Sequence, residues 1–166
     1  ALTQLFNDTR WGDLDILVID LPPGTGDIQL TLAQKIPVAG AVVVTTPQDI
    51  ATLDARKAVR MFEKVQVPVL GIVENMAVHV CSNCGHAEHI FGEGGGEKMA
   101  GRHGVPLLGA LPLDVRIREQ GDAGTPIVAA EPESAVGQAY RRVAERLLEV
   151  LAQRPRATSS ISATLL

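Results

Sequence analysis

Aromatic side chains are scarce, with one Trp, one Tyr and three Phe among 166 residues, so the core has to be built from the abundant Ala, Val, Leu and Gly. That composition suits closely packed parallel strands and helices. Positive charge is not in excess either. The formal net charge is −4, and Lys and Arg are scattered rather than clustered, which leaves no electrostatic footprint for nucleic acid. No apolar run reaches the roughly 18 residues of a membrane-spanning helix, and the N-terminus lacks the basic-then-apolar pattern of a signal peptide. A soluble, cytoplasmic protein without a membrane or nucleic-acid partner is expected. Cysteine is limited to Cys81 and Cys84. Two thiols so close together make a poor disulfide framework in a chain of this size, and they point to a reducing compartment and a metal or redox role. The length admits one domain with a real core, and no internal repeat divides it.

The stretch Leu14 to Asp27, LDILVIDLPPGTGD, organises the rest. Ile16 to Ile19 is a continuous, largely β-branched run bounded by Asp15 and Asp20, which predicts a strand covered on both faces. Asp20 then lies at the carboxyl edge of a parallel sheet, where open α/β folds bind ligands, and a carboxylate there is placed to hold Mg²⁺ directly or through water. Pro22 to Gly26 combines a stiff start with a permissive finish able to turn backbone N–H groups toward an anion. An ordinary turn into a helix fits the same residues. Ile28 to Ile36 reads as that helix, with Asp27 as its N-cap.

Further strands are predicted at 40–46, 67–73 and 105–111, each ending at the same edge. The second of these delivers Glu74, Asn75 and Met76 there. The amide of Asn75 is able to donate and accept against a purine edge, although Asn at a strand end is also a turn former. The third leads into Pro112 and Asp114, and Asp114 doubles as the N-cap of a helix running through Arg118. Helices are also predicted at 50–65, with Asp49 as its cap, at 97–103, stopping at Gly104, and at 132–152. The last carries Val136, Tyr140, Val143, Leu147, Leu148 and Leu151 at helical spacing, and its mixed-charge polar face disfavours membrane binding. Residues 154–166 read as a disordered tail.

The sharpest chemistry lies in VCSNCGHAEHIF, residues 80–91. A C-x-x-C pair followed by Gly forms a knuckle that aims two sulfurs at one metal while backbone amides soften the thiolate charge. Two thiolates are half a site, because zinc and [4Fe–4S] clusters ordinarily take four ligands. Three completions are open. A symmetric dimer supplies two cysteines from each chain; His86 and His89 join Cys81 and Cys84 on one Zn²⁺, with unusually compressed spacing; or the pair is a thiol/disulfide couple, which the sequel from Gly85 fits poorly. His79, His86 and His89 otherwise read as exposed side chains on a mobile loop, with Gly92 to Gly96 as its hinge.

Asp20-Leu-Pro-Pro-Gly-Thr-Gly-Asp27 resembles the Walker B and switch II segment of the Mrp/ApbC group of P-loop ATPases, relatives of MinD and the nitrogenase iron protein that carry iron–sulfur clusters. Thr45-Thr-Pro-Gln-Asp49, Gly71-Ile-Val-Glu-Asn-Met76, Cys81-Ser-Asn-Cys84 and Gly109-Ala-Leu-Pro-Leu-Asp114 fit the same group in order and spacing. The resemblance implies an α/β fold of P-loop NTPase type, a mostly parallel sheet with helices on both faces. It implies ATP and Mg²⁺ as cofactors, with Asp20 and Asp27 in catalytic positions and Gly24, Asn75, Pro112 and Asp114 around the nucleotide, Asn75 on the purine. It further implies a homodimer whose Cys81 and Cys84 bridge a [4Fe–4S] cluster destined for apo iron–sulfur proteins. Asp54, Arg56 and Lys57 would lie at dimer contacts, or otherwise on a solvated helix face.

One departure stands out. G-x-x-x-x-G-K-[ST] is absent, and its nearest approach, Gly92 to Met99, has Glu97 in place of the second Gly and Met99 in place of the hydroxyl. Residues 1–153 are therefore expected to be the C-terminal part of such a domain, with little or no ATPase activity alone. The alternatives are a zinc-binding dimerisation module and a partitioning ATPase of the MinD/ParA kind, which does not need the cysteines.

Overall fold

The computed structural model describes residues 4, 6, 8–21, 36 and 38–154. Along the chain run β1 (Ala41–Thr45), α1 (Asp49–Lys64), β2 (Val69–Glu74), the short strands β3 (His79–Val80) and β4 (Ala87–Glu88), α2 (Gly95–His103), β5 (Leu107–Ala110), α3 (Val115–Asp122), α4 (Ile127–Ala130) and α5 (Ala135–Ala152). β1, β2 and β5 form one parallel sheet in that order, while β3 and β4 pair antiparallel as a hairpin. Thr45 is opposite Glu74, and Glu74 opposite Ala110, so the three strands end level with one another.

β2 is central and every one of its residues, VLGIVE, is buried. Its unbroken apolar run follows from cover on both faces. On one side α1 and α2 bring Val59, Phe62, Met99 and Ala100 against Val43 and Ile72. On the other, α5 lays Ala139, Tyr140 and Val143 against Val73 and Leu108. Val59, Ile72 and Leu108 are sealed from solvent, and each such side chain contributes about 1.5–3 kcal/mol by leaving water. β5 is the outermost of the described strands on its side, and Arg146 of α5 donates from Nη1 to its Leu107 carbonyl at 3.1 Å. No helix among the described residues is long and apolar enough to cross a membrane.

Several boundaries differ from expectation for local reasons. Asp49 is not the cap of α1 but sits inside its first turn, with Gln48 at the cap position, where a carboxylate still meets the positive end of the helix dipole. α2 begins two residues early, at Gly95, and stops as expected at a left-handed Gly104. α5 begins at Ala135, where the Ser134 hydroxyl accepts from Gly137 N at 3.0 Å.

The larger correction concerns residues 14–20. They form no strand, and Val18 is 82% exposed. An apolar β-branched run buries itself only between neighbouring strands, and among the described residues β1 pairs with β2 alone. Asp20 accordingly ends an exposed stretch rather than a buried strand. The Pro22-to-Asp27 turn with Gly24 and Asp27, the helix expected to follow it, and the tail beyond Arg154 lie outside the described residues, apart from Ile36.

Candidate functional site

The level ends of the parallel strands build one edge. Asn75 N donates to Thr45 O at 2.7 Å, and Leu111 N donates to Glu74 O at 2.8 Å. Beyond the sheet the chains leaving β2 and β5 continue side by side, Ala77 N to Leu111 O at 2.9 Å and Leu113 N to Val78 O at 2.8 Å. Asn75 and Pro112 are thereby carried on adjacent segments. The Oδ1 atom of Asn75 accepts from Met76 N at 3.0 Å and holds Met76 at a φ of 56°, so the turn-forming role is real. Its Nδ2 donates to no described group.

Asp114 is more heavily committed. Its Oδ1 accepts from Arg116 N at 2.9 Å, capping α3, and both carboxylate oxygens receive the Arg116 guanidinium, Oδ2 at 2.7 Å from Nη2. Arg116 reaches on to Glu131 at 2.8 Å. Hydrogen bonding from the Arg116 side chain, followed by its backbone amide and its charge, holds the Asp114 carboxyl below the usual carboxylate range, against the opposing effect of burial.

The cysteines sit at the tip of the β3–β4 hairpin. Cys81 N donates to His86 O and Gly85 N to Cys81 O, both at 2.9 Å, which closes the knuckle over a Gly85 at a φ of 72°. Both thiols are free, Cys81 half-buried and Cys84 exposed. The backbone amides of Cys84 and Asn83 and then the Cys84 side chain hold the Cys81 thiol below its ordinary range, outweighing burial, with a small contribution from His79. Among the described residues no group of three or more His, Cys, Asp or Glu side chains is placed to hold a metal.

His79 and His89 both meet backbone carbonyls at the feet of the hairpin, His79 half-buried rather than exposed as expected, and His89 exposed as expected. His79 Nδ1 lies 3.1 Å from Leu113 O and His89 Nδ1 lies 2.8 Å from Ala77 O. A carbonyl only accepts, so each ring carries a proton on Nδ1. His86 is exposed, and the structure does not gather His86 and His89 with the two cysteines into a four-ligand zinc site.

Glu74 is the residue that sequence reasoning left without a role. Its carboxylate is buried, with the residue only 6% exposed, and Oε2 accepts from Gly96 N in the first turn of α2. The glycines there are spatial requirements. A Cβ on Gly96 would stand 2.8 Å from Glu74 Cβ, and one on Gly95 would collide with the Pro47 carbonyl oxygen. No local pattern announces this meeting of residues 22 positions apart, although the Gly92-to-Gly96 run is its trace in the sequence.

Residues 1–148 match the family described as ParA, NUBPL iron-transfer P-loop NTPase. The "Iron-sulfur cluster carrier protein" of Pseudomonas fragi is 67% identical over 144 residues, 87% of this chain and 50% of that protein. The protein of the same name from Escherichia coli K12 is 63% identical over 147 residues, 89% of this chain and 40% of its own length. Among solved structures, a nucleotide-binding protein of Archaeoglobus fulgidus in complex with ADP superposes with a TM-score of 0.70 at 38% identity, over 82% of this chain and 55% of that one. The MinD cell division protein of Aquifex aeolicus, with a TM-score of 0.63 at 18% identity over 89% of this chain and 58% of that one, shares the fold. The chain thus spans about half the length of the curated relatives it matches.

Proposed function

Because this chain belongs to the ParA/NUBPL family of iron-transfer P-loop NTPases, we propose that it forms the cluster-binding and purine-binding portion of an ATP-dependent iron–sulfur carrier. One observation carries the reading: Cys81 and Cys84 share a preformed knuckle, and among the described residues no third ligand accompanies them. A [4Fe–4S] cargo takes four thiolates. A second copy of the chain related by a two-fold axis supplies the missing pair without any new chemistry. Amide donors around Cys81 favour its thiolate, the form that binds iron. With Cys84 exposed at the tip, an incoming apo-protein thiolate is able to replace it by ligand exchange, which is what delivery requires.

The nucleotide reading is carried by Asn75, whose Nδ2 donates to no described group and which lies at the sheet edge beside the segment of Pro112. Asp20 is the proposed Mg²⁺ partner, with Gly24 and Asp27 at the terminal phosphate. Asp114 serves that edge by anchoring the turn after Pro112, since its oxygens are held by Arg116.

Anaerobic reconstitution with ferrous iron and sulfide tests the proposal. The expected product is a brown dimer holding about four irons per pair of chains, lost in Cys81→Ser and in Cys84→Ser. A strictly monomeric product, or one tightly bound zinc per chain that survives reconstitution, would refute it.

A further inference from the structure

We propose that Glu74 is the positioning residue of the cysteine hairpin. By holding the start of α2 against the end of β2, it makes the segment bearing Cys81 and Cys84 leave and re-enter the fold at one fixed point. The purpose assigned to this clamp rests on the carrier reading above, whereas the clamp itself rests on geometry.

Glu74 ends the central strand and is buried, yet among the described residues no Lys, Arg or His pairs with it. Its described partner is the Gly96 amide, one of the first-turn N–H groups that a helix leaves unbonded. A carboxylate there also meets the positive end of the α2 dipole. Such charge-assisted bonds are the strong ones, and this one closes a long loop whose ends would otherwise gain entropy by separating. Gly96 leaves no space for a Cβ beside Glu74, and Gly95 leaves none beside Pro47. Two adjacent glycines therefore let α2 start in direct contact with both the β1–α1 connection and the β2 terminus. With the hairpin feet pinned by His79 and His89, the clamp completes a frame around a hairpin whose own strands are two residues each. That frame supplies the preorganisation a half-site needs before it meets its symmetry mate.

The test uses the whole 166-residue chain, metal-free, and follows amide hydrogen exchange in wild type, Glu74→Ala, Glu74→Gln and Gly96→Ala. Glu74→Ala is expected to lose protection about tenfold or more at the hairpin amides of Cys81 and Gly85 and in the first turn of α2, with the Ile72 amide in β2 unchanged, the size expected for one lost bond to a charged group. Glu74→Gln keeps an acceptor and should restore protection to within about threefold of wild type. Gly96→Ala, which forces the pair apart, should reproduce the selective loss. Unchanged hairpin protection in Glu74→Ala overturns the assignment, as does an equal loss at Ile72. Should Glu74→Ala not fold, Gly96→Ala decides on the same criterion. In reconstituted protein the selective variants should surrender iron to a chelator about tenfold faster than wild type. If no variant, wild type included, binds a cluster, the carrier reading falls while the exchange data still judge Glu74.

Discussion

Replacing Asp114 with alanine separates two jobs that one carboxylate was expected to share. The side chain caps α3 through Arg116 N at 2.9 Å and chelates the Arg116 guanidinium. Loss of an N-cap costs about 0.5–2 kcal/mol. The ion pair adds less than about 1 kcal/mol, because Arg116 is nearly half exposed and water screens it. Asp114→Ala should therefore lower unfolding free energy by about 1–2 kcal/mol in urea titrations followed by circular dichroism at neutral pH. Asn caps as well as Asp does, so Asp114→Asn should lose only the smaller ionic part. The pH dependence has a definite sign. Arg116 holds the folded-state carboxyl below the usual range, so its stabilisation is complete above the unfolded value of about 3.9 and disappears as pH falls through the folded one. Wild type should lose more stability on acidification below about pH 4 than Asp114→Ala does. Equal stability of wild type and Asp114→Ala, or equal losses in the Ala and Asn variants, would refute the capping argument. Weaker nucleotide binding in Asp114→Asn at unchanged stability would instead assign the carboxylate to the ligand.

Three further outcomes follow from the same geometry. Leu108→Ala empties a site only 1% exposed between β5 and α5, and should cost about 2–5 kcal/mol in urea denaturation. Gly95→Ala drives a Cβ into the Pro47 carbonyl, and a loss of about 1–3 kcal/mol is expected, measured by the shift in thermal midpoint. Because amide donors favour the Cys81 thiolate, its alkylation by iodoacetamide, followed site by site by mass spectrometry, should reach half its maximal rate below the ordinary thiol value of about 8.5; a midpoint at or above that value would contradict the amide cage.

The family and the α/β fold were legible in the sequence because their signals are local. The apolar runs at 41–45, 69–73 and 107–110 mark the three strands, although only the central one is buried along its whole length, and five short motifs kept their order. The same pattern misled at Ile16 to Ile19, where a run suited to a central strand stands exposed. Composition encodes readiness for a neighbour, not whether one is there. Asp114 showed both of its possible uses in advance, and the structure adds the α3 cap and the contacts with Arg116. His79, His89 and Glu74 were opaque for another reason. Each acts on a backbone group brought close by the fold, Leu113 O, Ala77 O and Gly96 N respectively, and nothing in the residues flanking them names that partner.

The guanidinium of Arg146 lies over the rim of β5, the outermost of the described strands on its side. An uncovered strand margin invites another backbone to zip onto it, but here a newcomer would first have to strip a cation from the Leu107 carbonyl. Glu145 and Glu149 line the same groove, so the flank is guarded by charges of both signs. Edge-on addition of another strand along that margin is therefore discouraged.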